Sequence, residues 1–162
     1  MTTYDVIKNF DSFMTVPPKR IVIGDMSYII SKLKEWSKSR TMRTQKYPLM
    51  AILENYPEQE SASFIDVTLQ VALINDSRNN YNNDDRNARI TEQLQPVYDS
   101  LLDSLRKNPA IFPSYSFEHE KVTRLDIGRS SLLSDDSASP DYIDAIELRN
   151  LNLKIHKKIL TL

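Results

Sequence analysis

The chain has no cysteine, which excludes disulfides, thiolate nucleophiles and cysteine-ligated metals. It has only two glycines, Gly24 and Gly128. That is too few for a phosphate-cradling loop, where several glycines let the backbone approach the ligand closely. The two histidines, His119 and His156, lie in no metal or nucleophile motif. In an extended Glu118-His119-Glu120 segment the imidazole and its flanking carboxylates point to opposite faces, so they do not share a metal. There is no Gly-x-Ser-x-Gly elbow and no His-Glu-x-x-His helix motif. Neither charge sign is in excess (formal net charge -1), so composition calls for neither nucleic acid nor a membrane as main partner. The basic residues also lack the interleaved aromatics of single-strand binders. No apolar run approaches a membrane span. Met1-Thr2-Thr3-Tyr4-Asp5 opens without the basic-then-apolar pattern of a secretory leader, so folding in a cytosol is expected. These absences predict a chain that is not an enzyme and holds no cofactor.

What the sequence does have is one strongly alternating stretch, Phe64 to Ile74. Ile65, Val67, Leu69, Val71 and Leu73 are apolar, with Asp66, Thr68 and Gln70 between them. Side chains alternate faces along a strand, so this reads as a long strand with one buried face and one wet face. Such alternation predicts an antiparallel sheet with helices on one side. Phe64, Ala72 and Ile74 also sit on the wet face, which suggests that another subunit covers part of it. The preceding stretch Tyr47 to Glu54 reads as a partner strand, hairpinned through the Pro57-containing loop.

The remaining elements follow from spacing. Val6, Ile7, Phe10, Phe13 and Met14 share a helical face, stopped by Pro17-Pro18. This stripe either packs on the chain's own core or inserts into a neighbour. After the extended Ile21-Val22-Ile23, Asp25 caps a helix with Met26, Ile29, Ile30 and Leu33 on its stripe, ending near Ser39. Ser39 to Lys46, with Arg40 and Arg43, reads as a solvated basic loop, or as a contact for an acidic partner. Asn75 to Asn87 is a long polar loop whose only aromatic is Tyr81. Asp84 or Asp85 then caps the main helix, running to about Lys107 with a kink at Pro96. Tyr115 to Ile127 has weak strand character, and Arg129 to Asp141 is a second polar loop. In the last strand, Ile143 to Ile155, apolar parity slips from Ile146 and Leu148 to Leu151, Leu153 and Ile155. A β-bulge near Arg149-Asn150 produces such a slip. The tail from Ile155 to Leu162 pairs as an edge or is disordered.

One acidic cluster stands out: Asp135, Asp136, Asp141, Asp144 and Glu147. Paired carboxylates can hold Mg²⁺ for nuclease chemistry, but this cluster lacks that spacing and reads as a solvated loop. The fold expectation is therefore a single α+β domain over residues 1–162. It has an antiparallel or mixed sheet covered on one face by two main helices, plus an extra short N-terminal helix. Residues 1–20 read as an extension, 21–155 as the core and 156–162 as a tail.

The order helix, hairpin, long loop, helix and C-terminal strands resembles the tail-terminator, or tail-completion, family of tailed bacteriophages. The residues that carry the likeness are Tyr47-Pro48-Leu49-Met50-Ala51, the Phe64–Ile74 strand, Arg89 to Leu105 with Leu94-Gln95-Pro96-Val97-Tyr98, and Asp144 to Leu151. It spans about residues 20 to 155 and rests on layout. Residues 1 to 20 and the Ser/Asp loop depart from the pattern. The resemblance implies a virion protein of the neck, assembled in the host cytoplasm. It would form a homo-oligomeric ring, first a hexamer and otherwise a dodecamer. Its partners would be the tail tube protein and the head–tail connector or a portal-associated protein, with DNA only as passing cargo and no membrane. Candidate contacts are Phe10, Phe13, Phe64, Tyr81, Arg86, Arg129, Asp135, Asp136 and Asp141. The other readings are an adaptor outside virions and a metal-dependent nuclease built on the acidic cluster.

Overall fold

The computed structural model describes residues 1–77, 82–114, 116–125 and 142–161. Its centre is the pair of long strands β4 (Phe64–Ser77) and β6 (Tyr142–His156), antiparallel along their whole length. β5 (Glu120–Arg124) lies outside β6, and β2 (Leu49–Leu53) lies outside β4. β1 (Arg20–Gly24) runs parallel to β2, so the sheet is mixed, in the order β1-β2-β4-β6-β5. β3 (Glu58–Glu60) pairs with the start of β4, beyond the end of β2. The fold is α+β with a short N-terminal helix.

The alternation of β4 sorts its side chains as expected: Ile65, Val67, Leu69, Val71 and Leu73 are all buried. The helical layer over them is built from three pieces. α1 (Thr3–Lys8) and a following 3₁₀ turn (Phe10–Phe13) supply Val6, Ile7 and Phe10. α4 (Asn83–Arg89) and α5 (Gln95–Lys107) are joined by a π-helical turn over Ile90–Leu94 and supply Ile90, Leu94, Val97, Leu101 and Leu105. The expected break at Pro96 takes the form of that wide turn. The Gln95 N–H donates to the carbonyl of Ile90, five residues back, just before the residue that has no N–H to give.

One expectation is corrected here. α2 (Met26–Lys38) is capped by Asp25, whose Oδ1 accepts the Tyr28 N–H at 2.7 Å. It does not join the layer above, because it packs on the opposite face of the sheet. Its Ile29, Ile30 and Leu33 bury Val22, Leu49, Ala51, Ile74 and Ala145, while the alternate residues Met50, Leu73 and Ile146 face the other way. The sheet is thus covered on both faces at the β1–β2 end. The apolar residues Ala72 and Ile74 are covered by the chain's own α2, with no need of a second subunit.

Other segments also differ from the sequence reading. Asn75–Ser77 continue β4 and α4 begins at Asn83, so both ends of the long loop expected there are regular structure. The helix cap is Asn82, in a capping box with Asp85, in place of Asp84 or Asp85. Arg40–Arg43 forms a short helix, α3, and Lys46 is buried with its Nζ 2.8 Å from Ser37 Oγ, so neither segment is a plain solvated loop. The tail turns into α6 (Lys157–Leu160), whose Ile159 and Leu160 pack on the core. The N-terminal stripe resolves in favour of the chain's own core, with Phe10 only 1% exposed.

The parity slip has the expected cause. Leu69 pairs with Leu151 but Val71 with Leu148, which leaves Arg149 and Asn150 opposite Gln70, and Asn150 has φ 54°. Asparagine tolerates this left-handed conformation better than most residues.

Leu69 is wholly buried between β6 and the helices, whereas Thr68 faces the other way and its Oγ1 donates to Asn152 Oδ1 at 2.9 Å. Leu69→Ala is expected to cost about 2–5 kcal/mol, and Thr68→Ala under about 1 kcal/mol, the worth of one exposed hydrogen bond. Urea unfolding of both variants checks this. Equal losses would mean that both faces of β4 are covered at this level.

Candidate functional site

α2 covers one face of the sheet only at the β1–β2 end. Further along the same face, no helix among the described residues covers the first half of β4 and the last half of β6, whose outward side chains are half-buried or exposed. Register places Phe64 opposite His156, Asp66 opposite Lys154, and Thr68 opposite Asn152. The Phe64 and His156 rings sit 4.8 Å apart, and Lys154 Nζ lies 5.5 Å from the Phe64 ring centre and 3.6 Å from Asp66 Oδ1. At the bulge, Gln70 Nε2 donates to Asn150 Oδ1 at 2.7 Å, and the Asn150 N–H donates to Gln70 Oε1 at 3.2 Å. The surface is therefore a flat ladder of cross-strand polar pairs with one aromatic end. Its amides and hydroxyls are satisfied within the sheet yet reachable from outside. Such a surface stays wet in an isolated chain and still has donors and acceptors to offer a partner.

A second feature lies at the β1 edge and escaped the sequence reading. α1 flanks this edge on one face of the sheet and α2 on the other, leaving a groove of about 240 Å³ lined by Tyr4, Lys8, Ile21, Ile23, Tyr28 and Lys32, among others. Gly24 matters here: a Cβ at that position would collide with the Tyr28 ring, which lies across the strand end. Tyr4 and Tyr28 are 45% and 46% exposed, well outside the core-facing stripes of their helices. That was the one signal available in sequence, and it has meaning only once β1 is known to be an edge.

The predicted contact residues separate. Phe64 lies on the bare surface. Phe10 is in the core, and Phe13 is half-buried with its ring edge-on to Phe112, so neither presents a contact face as expected. Arg86 is buried and pairs with Asp144, 3.5 Å between Nη1 and Oδ1. Tyr81, Arg129, Asp135, Asp136 and Asp141 lie outside the described residues. Asp144 and Glu147 do not converge. Asp144 faces α4, while Glu147 faces the other side of β6 and bridges Arg124 at 3.1 Å and Arg149 at 2.9 Å. Among the described residues no group of three His, Asp or Glu could hold a metal. His119 precedes β5, and both its nitrogens are engaged. Nδ1 lies 2.7 Å from the Phe117 carbonyl, which can only accept, so in the neutral ring Nε2 accepts the Tyr98 hydroxyl at 2.8 Å. Burial, with the Asp99 carboxylate second, raises the Tyr98 pKa and keeps that hydroxyl a donor.

Compared with protein-family models, curated proteins and solved structures, the chain matches none. Its two surfaces are therefore interpreted from their own chemistry. No helix among the described residues is long and apolar enough to cross a membrane.

Proposed function

We propose that this chain is a structural subunit that associates with copies of itself into a closed ring at the head–tail junction of a tailed bacteriophage. There it ends the tail tube and joins it to the connector, and DNA passes through as cargo. The observation that carries this reading is the bare half-face of β4 and β6. A satisfied polar ladder with an aromatic end suits a contact that is wet before assembly and covered after it. The use of Asp144 and Glu147 in ion pairs on opposite sides of β6 favours a structural role for them over joint metal chemistry. The resemblance of the sequence layout to the tail-terminator family is the support for the ring and its place in the virion. Heterologous contacts between identical subunits close into rings when the rotation permits.

The test is negative-stain electron microscopy of the purified chain, with light scattering across a range of concentrations. Rings are expected, with six subunits first. A strict monomer at high concentration, also in the presence of tail-tube and connector proteins, would overturn the proposal. Capture of a partner without any ring would point to an adaptor instead.

A further inference from the structure

The two ends of the strand order, β1 and β5, are each five residues long and pair with a strand on one side only among the described residues. Their directions are opposed. β1 runs with β2, and three successive antiparallel pairings lead from β2 through β4 and β6 to β5. Rotation about an axis roughly parallel to the strands keeps strand direction. Repeating the subunit that way therefore brings β5 of one copy antiparallel to β1 of the next. An exposed edge presents a row of unpaired N–H and C=O groups that templates such an addition.

Charge favours the same match. Residues 1–46 carry nine Lys/Arg against four Asp/Glu, and residues 47–162 carry twelve against eighteen, so the chain is about +5 at one end and about −6 in the rest. At the β1 groove Lys8 lies 5.9 Å from the Tyr4 ring centre and has no ion pair among the described residues. Lys32 lies 5.7 Å from the Tyr28 ring and is shared with Glu35 at 3.0 Å. Arg20 stacks over Trp36 at 5.1 Å. At the β5 edge the cations are already engaged: Lys121 by Gln95 and the Tyr98 ring, Arg124 by Glu147. The exposed Glu118 and Glu120 have no ion pair among the described residues and are left to set the sign of that edge.

We infer that β5 of one copy adds to β1 of the next, antiparallel, in the slot between α1 and α2, so that the sheet runs on from subunit to subunit around the ring. This rests on the ring reading above and names its contact. Lys121 and Thr123 of β5 face the α1/α5 side of the sheet, so Glu120, and Glu118 two residues before it, face the α2 side, where these carboxylates meet the Lys32 ammonium group of the next copy.

The test is sedimentation velocity with electron microscopy on the full chain, using Lys32→Glu, Glu118→Lys with Glu120→Lys, and all three together. Circular dichroism verifies that each variant is folded. Either change alone is expected to raise the concentration at half-assembly by roughly tenfold or more, and the three together to bring it back near the wild-type value. If the wild type forms rings and both variants assemble as well as it does, the strand addition is overturned and the ring reading stands. If they block assembly and the combined variant does not recover it, the two edges do not meet. If the wild type forms no ring at all, both readings fall together.

Discussion

Phe10→Ala is expected to lower the unfolding free energy by about 3–5 kcal/mol, by the same amount at low and at high protein concentration. The ring is 1% exposed and meets Phe112 edge-to-face, with centroids 6.2 Å apart at 60°. Phe13 meets the other side of Phe112 at 6.3 Å and 89°, so truncating Phe10 opens a cavity and removes one member of an aromatic trio. The concentration test is decisive because the N-terminal stripe has two conceivable homes. A stripe on its own core gives a loss relative to wild type that is the same at every protein concentration. A stripe docked on a neighbour gives a loss that shrinks on dilution, as the contact itself dissociates. A loss below about 1 kcal/mol, or one that shrinks on dilution, would move residues 3–14 to another subunit.

Asp144→Ala is the other large effect, again about 3–5 kcal/mol, since removing one partner leaves the remaining buried charge without it. The Asp144 side chain is 3% exposed and that of Arg86 10%. Their bond ties the start of the main helix to the start of β6. It belongs to a polar seam: Asn75, opposite Asp144 in the ladder, donates to Gln93 in the π-helical turn, and Arg89 reaches Asp76 at 2.8 Å. Replacing both charges together, Arg86→Met with Asp144→Leu, is expected to cost less than Asp144→Ala alone, because no charge is then left desolvated. Urea unfolding of the two variants checks the order. A double variant at least as unstable as Asp144→Ala would mean that the pair itself, and not the buried arginine charge left behind, carries the energy.

The sequence made some of these features plain and hid others for physical reasons. Alternation in β4, the Asp25 cap and the slip at Arg149-Asn150 were legible because each is a local pattern with a local cause. The side of the sheet taken by α2 was not. A helical stripe says that a helix has a buried face, and an apolar even position such as Ile74 says that something covers it. Neither says that the two meet. Asn and Asp between 75 and 87 looked like loop residues because they favour turns and caps equally. Here Asn75 is buried under a side-chain bond and Asn82 begins a helix. Arg86 looked like a surface contact because its partner lies 58 positions along the chain. The β1 groove needed the strand order, which depends on contacts far apart in sequence.

The extra residue in β6 also decides where this protein can change length. In a strand buried on one face, adding or losing one residue sends every later side chain to the wrong side. Beyond the slip, Leu151, Leu153 and Ile155 already sit one position out of step with Ile146 and Leu148, and both groups still face the helices. Dropping Asn150 would leave unbroken alternation from Ile146 to the end of the strand, with the same side chains inward. The same deletion at Ile146 or Leu153 would turn apolar groups outward and polar ones in. The middle of the ladder thus holds a splice point where the reading frame of inside and outside can be reset, and the rest of β6 has none.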